Sequence, residues 1–253
     1  NKQFSFPVKK GQTYTIEMTF RQSEGDAIVK LRAGHYEKTD FTELARRYSD
    51  ADIILFAGGI SPQLEGEEMP VTVPGFKGGD RTSIQLPTVQ TELMKALKAT
   101  GKPVVFVMLT GSAIAIPWEN DNIPAIINAW YGGQSGGTAV ADVLFGDYNP
   151  AGRLPVTFYK SDSDLPGFSD YSMKERTYRY FNGEALYPFG YGLSYTRFKY
   201  NVTQVPAVLT KGKPVTVAFT LTNTGKKDGE EVAQLYITHQ STGLKPIRAL
   251  KGF

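Results

Sequence analysis

The stretch DIILFAGG, residues 52–59, decides the fold prediction, because it is a continuous apolar run that ends in two glycines. A half-buried strand alternates apolar and polar residues, whereas an uninterrupted apolar run is typical of a parallel strand covered on both faces. The segment KPVVFVMLTG, residues 102–111, has the same character. Both segments therefore predict buried strands of a parallel sheet.

Helical patterns alternate with these strands. Apolar residues at helical spacing predict one helix over 41–48, and LPTVQTELMKALKATG, residues 86–101, predicts a second that stops at its final glycine. Residues 123–131 hold another strand, residues 132–146 open a helix from a glycine-rich turn, and RLPVTFY, 153–159, is a last strand. This alternation predicts an α/β fold with a largely parallel sheet.

The segments on either side of the α/β pattern are predicted to be different. QFSFPV (3–8), TYTIEMTF (13–20) and AIVKLRAG (27–34) read as strands, with KKGQ as the turn between the first two. The end of the chain contains three alternating segments, at 198–210, 213–225 and 230–240. They favour part of a β-sandwich of fibronectin type III style, which has about seven strands. The predicted divisions are a β-rich tail at 1–34, the α/β domain at 35–160, a loop-rich connector at 161–198 and a partial β-sandwich at 199–253.

Composition argues against several classes of protein. The chain has 253 residues and a net charge of +3, and its basic residues are scattered, so no nucleic-acid partner is expected. Its apolar runs fall short of the roughly 20 residues that a membrane helix needs, so no membrane partner is expected. Cysteine is absent and the histidines are only His35 and His239, so neither a metal site nor a Ser-His-Asp triad is predicted.

The segment GGISPQLEGEEM, residues 58–69, places Glu65, Glu67 and Glu68 directly after the first buried strand. Ligands of open α/β sheets bind beyond the carboxyl ends of the strands. Partial burial raises the pKa of a carboxyl group there and lets it hold a proton near neutral pH, as a general acid must. From spacing alone, solvated loop charges are the commoner interpretation.

Other strand ends supply polar and aromatic groups. The candidates are Thr110, Ser112, Trp118, Glu119, Asp121, Trp130, Tyr131 and Gln134. Exposed aromatic rings would suit stacking on sugars, whereas core packing is the competing interpretation and is favoured for Trp130. Asp80, beside Arg81, is interpreted as a carboxylate near the start of the following helix. GGQSGG, 132–137, lacks the Lys and Ser/Thr that end a phosphate-binding loop, so a nucleotide cofactor is not predicted.

The order of several segments resembles glycoside hydrolase family 3, the β-glucosidases and β-xylosidases. The segments are residues 58–69, 78–97, 101–118, 125–158 and 187–200. YNPAGRLPVTF and YPFGYGLSYT are highly specific, and ERTYRYFNGEALYPFGYGLSYT, residues 175–196, is more similar to the β-xylosidase branch. The resemblance covers about 38–253, and residues 1–34 resemble more weakly the tail of a lectin-like insert.

The resemblance implies a retaining, exo-acting β-glycosidase that hydrolyses the non-reducing ends of oligosaccharides without a cofactor, in the periplasm or outside the cell. It implies a nucleophilic Asp on an N-terminal (β/α)₈ barrel and an acid/base Glu on the α/β sandwich that follows. This chain is expected to be that sandwich with part of a fibronectin type III-like domain. The barrel is then a partner outside the chain, and the chain alone is expected to have little or no activity.

The resemblance also suggests which glutamate is the acid/base. Matching Gly58 and Gly59 to the family's glycine places Glu67 at the second acidic position of the family's string, with Glu65 as the alternative and Glu68 third. Residues 68–79 depart from the family pattern by separating the string from its Asp-Arg pair.

Two other interpretations stay open. One is a non-catalytic carbohydrate-binding or structural module, and the other is a self-contained hydrolase that pairs Glu67 with Asp80 or Glu119. Specificity for xylose, glucose or arabinose and the oligomeric state are also open.

Overall fold

The computed structural model describes residues 5–21, 23–25, 34, 38–238 and 245–253. It divides into two compact units, Asn1–Thr39 and Asp40–Phe253. Both histidines and all but the last residue of the strand predicted at 27–34 lie outside the described residues.

Among its described residues, the first unit contains the predicted turn but not the strands predicted on either side of it. The backbone N–H of Gln12 donates to the carbonyl of Lys9 at 3.2 Å, and the rings of Phe6 and Tyr14 lie 5.5 Å apart. Residues 5–21 nevertheless form no strand and are exposed throughout. The strands predicted at 3–8 and 13–20 are therefore wrong over the described residues. Two strands alone are only marginally stable unless further strands or a helix pack against their apolar face. The alternating sequence predicts an apolar face but does not show whether such partners are present.

The second unit carries the helices and strands of the described chain. In chain order they are α1 (Phe41–Arg46), β1 (Ile54–Gly59), β2 (Phe76–Lys77), β3 (Asp80–Arg81), α2 (Thr88–Ala99), β4 (Val104–Leu109), α3 (Pro117–Asn122), β5 (Ala125–Asn128), α4 (Gly136–Phe145), a 3₁₀ turn (Asp162–Asp164), α5 (Thr177–Tyr180), β6 (Phe198–Gln204), β7 (Ala218–Asn223), β8 (Leu235–Ile237) and β9 (Ala249–Gly252). No helix among the described residues is both long and apolar enough to cross a membrane.

A three-stranded parallel sheet with the order β1-β4-β5 confirms the predicted α/β fold. Ile54 pairs with Val104 and Phe56 with Phe106, so these side chains share one face of the sheet. That face forms the hydrophobic core together with Met94 of α2, which is completely buried. The helix α1 begins where the Asp40 side chain accepts hydrogen bonds from the N–H groups of the first turn.

The other face of the sheet is open at β1, which corrects the prediction that this strand is covered on both sides, whereas Val107 of β4 is buried on that face. Ile54 is buried, whereas its neighbour Leu55 is 57% exposed and Leu109 of β4 is also exposed. The helices α1 and α2 pack together and α2 contacts the sheet, whereas α4 has no buried residue. An apolar run indicates that a strand can be covered on both faces, but whether it is covered depends on elements that are distant in the chain.

The segment RLPVTFY bends at residues 155–156 and forms only an isolated bridge at Phe158, rather than the strand predicted at 153–159. Leu154 exchanges backbone hydrogen bonds with Tyr191 and Gly190, and Phe158 exchanges them with Tyr187. Pro155 lies between these two points and has no N–H group to donate, so a continuous ladder does not form.

The C-terminal region is rich in β-structure, as the sequence predicts. The strands β6 and β7 form one antiparallel pair, and β8 and β9 form another. The first three of these strands fall within the three predicted segments, whereas β9 was not predicted. The likeness to a fibronectin type III domain, and the domain boundaries themselves, stay predictions.

Candidate functional site

The carboxyl ends of β1, β4 and β5 meet at one edge of the sheet, because the three strands are parallel. Gly59 ends β1 with φ +122°, and a Cβ atom there would collide with the carbonyl oxygen of Leu109. Gln90 of α2 fixes this glycine twice, since its Oε1 accepts from the Gly59 N–H and its Nε2 donates to the Gly59 carbonyl, both at 2.7 Å. The chain therefore leaves β1 in a defined direction.

The loop after β1 separates the three predicted carboxylates. Glu65 is partly buried, and its Oε1 accepts a hydrogen bond of 3.3 Å from the hydroxyl of Ser112, which follows β4. Glu67 and Glu68 are exposed, and Glu68 has φ +49°. One carboxylate therefore ties the loop to the sheet edge, while Glu67 remains accessible to solvent.

Residues 68–79, which depart from the family pattern, fold into an excursion that returns to the same loop. The strands β2 and β3 pair as a short hairpin. The Met69 N–H donates to the Gly78 carbonyl at 2.8 Å, and a Cβ atom at Gly79 would collide with the Gly66 carbonyl. Asp80 thus lies in β3, and α2 begins only at Thr88, so the prediction that Asp80 lies just before the helix is wrong.

Arg81 lies at the centre of the polar contacts at this edge. Its Nη1 donates to the hydroxyl of Ser112 at 2.8 Å and to the carbonyl of Ala113 at 2.9 Å, and its Nε donates to the carbonyl of Ser83 at 3.3 Å. Its Nη2 is buried and has no hydrogen-bond partner in the described part of the chain. Burial lowers the pKa of Arg81, and the negative charges of Glu65 and Asp162 oppose that shift.

Tyr131 is the predicted aromatic residue that the structure leaves exposed at this edge. Its hydroxyl donates to the Ile60 carbonyl at 3.4 Å, and its ring lies against Gly111. Burial of the hydroxyl raises the pKa of Tyr131, and the charge of Glu65 adds to the effect. Tyr131, Glu65, Ser112 and Arg81 therefore form one cluster across the ends of all three strands.

The two tryptophans are half-buried and pack against the core. Trp130 packs on the core and meets Phe158 edge to face at 6.2 Å, which confirms the core interpretation. Trp118 also packs on the core, and the ammonium groups of Lys95 and Lys98 lie 5.7 and 6.0 Å from its ring centre.

The remaining candidates lie outside the cluster or are buried. Asp121 and Gln134 are exposed, whereas Thr110 is buried and donates to the Ser112 carbonyl. Glu119 is 2% exposed and accepts a hydrogen bond from Thr91. A carboxylate so buried cannot reach a substrate, so the predicted pairing of Glu67 with Glu119 is not supported. No group of metal-binding side chains occurs within the described ranges.

Two residues of this edge were not predicted. Gln90 looks like an ordinary polar residue on a helix surface, and no sequence signal marks its bonds to Gly59. Asp162 accepts from the hydroxyl of Ser83 at 2.7 Å and from the N–H of Ile84 at 2.6 Å. A capping pattern marks Asp162 as part of a turn but gives no sign of its distant partners.

Comparison with known proteins places this edge in context. Residues 6–195 match the family model described as the glycosyl hydrolase family 3 C-terminal domain. A xylan 1,4-beta-xylosidase from Xylanibacter ruminicola is 52% identical over 246 residues, which are 97% of this chain and 28% of that protein. A periplasmic beta-glucosidase from Salmonella typhimurium is 38% identical over 226 residues, which are 83% of this chain and 28% of that protein.

Solved structures show the same fold. The beta-glucosidase from Kluyveromyces marxianus in complex with glucose aligns with a TM-score of 0.72 and 29% identity over 86% of this chain and 27% of its own. The chain thus spans less than a third of the length of these relatives.

Proposed function

The chain belongs to glycoside hydrolase family 3, and from this premise we propose that it is the C-terminal portion of a retaining, exo-acting β-glycosidase. The enzyme would remove sugars from the non-reducing ends of oligosaccharides as a β-xylosidase or β-glucosidase. Identity of 52% to a xylosidase against 38% to a glucosidase favours xylose. The enzyme names of these relatives favour a catalytic role over a non-catalytic binding module.

The observation that carries the proposal is the exposure of Glu67 on a loop that is anchored at the carboxyl edge of the sheet. An acid/base must touch the substrate, so it has to be accessible, and it must also be held in place. Glu65 uses one carboxylate oxygen to accept from Ser112 and is partly buried. We therefore assign the acid/base role to Glu67 and the anchoring role to Glu65.

The proposed reaction needs a second carboxylate. In a retaining glycosidase the two carboxyl groups lie about 5–5.5 Å apart. The nucleophile bonds to the anomeric carbon while Glu67 gives its proton to the departing glycosidic oxygen. Glu67 then takes a proton from water, which attacks the same carbon and releases the nucleophile. We propose that the nucleophile is an Asp on a barrel domain elsewhere in the polypeptide, so the chain alone would have little activity.

The proposed location is the periplasm or the cell exterior. A relative with 38% identity is named a periplasmic beta-glucosidase, and an enzyme that trims oligosaccharides meets its substrate there.

Kinetics of the full-length enzyme test the assignment. Glu67→Gln should reduce kcat/KM on the order of 10²–10⁴-fold for alkyl or oligosaccharide substrates, because their leaving groups need a proton. The loss of kcat/KM should be far smaller for dinitrophenyl glycosides. Azide should accelerate the turnover of these substrates, because it can replace water as the attacking group and needs no base. Glu68→Gln is the matched control, since it changes a neighbouring exposed carboxylate. Wild-type rates in Glu67→Gln would reject the assignment, and the same defect in Glu65→Gln alone would transfer it to Glu65.

The choice of sugar is tested separately. The full-length enzyme should turn over nitrophenyl xyloside with a higher kcat/KM than the glucoside or arabinoside. A higher value for the glucoside would make it a β-glucosidase.

A further inference from the structure

We propose that Arg81 is a positioning residue, which holds the loop that carries Glu67 at the sheet edge through Ser112 and Glu65. The inference rests on the proposed acid/base role of Glu67. It assigns to Arg81 no contact with the substrate.

The first step is the clamp that Arg81 makes on the end of β4. Its Nη1 donates to two acceptors of the loop after β4, the hydroxyl of Ser112 and the carbonyl of Ala113, at 2.8 and 2.9 Å. Its Nε donates to the carbonyl of Ser83 at 3.3 Å, close to its own strand. The guanidinium plane is therefore fixed from two sides, and it joins the hairpin to the sheet edge.

The hydroxyl of Ser112 connects Arg81 to Glu65, because its two hydrogen bonds have defined directions. An arginine only donates, so the Ser112 hydroxyl oxygen must accept from Arg81, and its own hydrogen is left to point at Glu65 Oε1, 3.3 Å away. The backbone of Ser112 is itself fixed by Thr110, whose hydroxyl accepts from the Ser112 N–H and donates to the Ser112 carbonyl. Thr110 is fully buried, so Ser112 has a rigid support.

The loop that carries Glu67 is held on both sides of this residue. The loop is held before Glu67 by the contact of Glu65 with Ser112, and after it by the hydrogen bond from the Met69 N–H to the Gly78 carbonyl at 2.8 Å. The second of these contacts belongs to the hairpin that contains Arg81. Arg81 therefore supports the loop on both sides of Glu67, although the two residues are not neighbours in the sequence.

The contacts of the Arg81 guanidinium group fit a positioning role better than a space-filling role. Its Nη2 is buried and has no hydrogen-bond partner among the residues that the structure describes, which costs free energy. An apolar side chain would fill such a place without this penalty. The hydrogen-bonding fork and the attraction to Glu65 are what an apolar residue could not supply.

Leaving-group dependence in the full-length enzyme tests the inference. Arg81→Gln should lower kcat/KM for an alkyl glycoside on the order of 10²-fold, because a displacement of about 1 Å has effects of that size. The loss for the dinitrophenyl glycoside should be at least tenfold smaller. Arg81→Lys keeps the charge but not the fork, and should fall between Arg81→Gln and the wild type. Arg46→Gln, which removes an exposed arginine paired with Glu43, is the control and should change neither rate.

The outcomes separate this inference from the function on which it rests. Equal losses for both substrates in Arg81→Gln would overturn the positioning role. If Arg81→Gln does not fold, Ser112→Ala replaces it, because this variant removes only the hydroxyl that joins Arg81 to Glu65. Ser112→Ala should lose more kcat/KM for the alkyl glycoside than for the dinitrophenyl glycoside. Equal losses for the two substrates would also overturn the positioning role. If Glu67→Gln shows no leaving-group dependence, the acid/base assignment itself fails. If Glu67→Gln shows it and the Arg81 and Ser112 variants do not, only the positioning role fails.

Discussion

The Nη2 atom of Arg153 lies 2.9 Å from both carboxylate oxygens of Glu231, and the two side chains are only 12% and 13% exposed. The pair connects the segment after α4 with the residues that precede β8. Nearby, Asn149 donates to the carbonyl of Asp228 at 2.8 Å and accepts from the N–H of Tyr195 at 2.7 Å. These contacts join the α/β part of the second unit to its C-terminal strands.

Removal of Arg153 should therefore destabilise the protein strongly. Arg153→Ala leaves the Glu231 carboxylate buried without its partner, and the free energy of unfolding should fall by about 3 kcal/mol. Arg46→Ala breaks an ion pair whose side chains are 74% and 46% exposed, so water screens the attraction and the variant should unfold close to the wild-type urea midpoint. Urea denaturation of both variants measures the difference. Similar urea midpoints for the two variants would show that the buried ion pair stabilises the protein no more than the exposed one.

Gly59 should tolerate no side chain. In Gly59→Ala the added Cβ would collide with the Leu109 carbonyl, and φ of +122° strains any residue that has a Cβ. We expect a loss of at least about 2 kcal/mol in the free energy of unfolding. Gly152→Ala is the control, because a Cβ there meets nothing within 4 Å. Urea midpoints decide the matter, and equal midpoints for the two variants would contradict the collision.

Tyr187 should make stability depend on alkaline pH. Its hydroxyl donates to Asn120 Oδ1 at 2.7 Å, and burial, assisted by the nearby Tyr191, Asp121 and Glu119, raises its pKa to about 12. In the unfolded chain a tyrosine has a pKa of about 10. Because the folded-state pKa is the higher one, the stabilisation is complete below pH ~10 and is lost as the pH rises toward ~12.

The measurement is the urea midpoint at pH 8 and at pH 11. The wild type should lose more stability between these values than Tyr187→Phe, which has no hydroxyl to ionise. Tyr171→Phe, at a tyrosine that is 84% exposed, should behave as the wild type. A parallel decline in wild type and Tyr187→Phe would assign the alkaline effect to other groups.

Local sequence patterns predicted the elements whose cause is local. The apolar run before Gly59 and the helical spacing that includes Met94 gave β1 and α2, because length and period depend only on neighbouring residues. The exposure of Leu55 was not predictable in this way, since it depends on which elements cover the sheet.

The candidate site shows the same limit. Tyr131 and Ser112 were predicted because they follow buried strands, and the structure brings both to one edge. The part played by Arg81 was missed, because its acceptors Ser112 and Ala113 lie 31 and 32 residues away in the chain. Spacing around Asp80 suggested a helix start instead, and the hairpin that returns it to the edge is a tertiary feature.

The buried Glu119 should affect stability and leave catalysis alone. It accepts a hydrogen bond from Thr91, so Thr91→Val removes the donor, nearly preserves the shape and leaves a buried carboxylate oxygen unsatisfied. The free energy of unfolding should fall by about 1–3 kcal/mol. The ratio of kcat/KM for dinitrophenyl and alkyl glycosides in the full-length enzyme should stay at the wild-type value, because Glu119 cannot reach a substrate. Thr138→Val, on the exposed surface of α4, is the control for replacing a helical threonine. A changed ratio in Thr91→Val would show that Glu119 contributes to proton transfer after all.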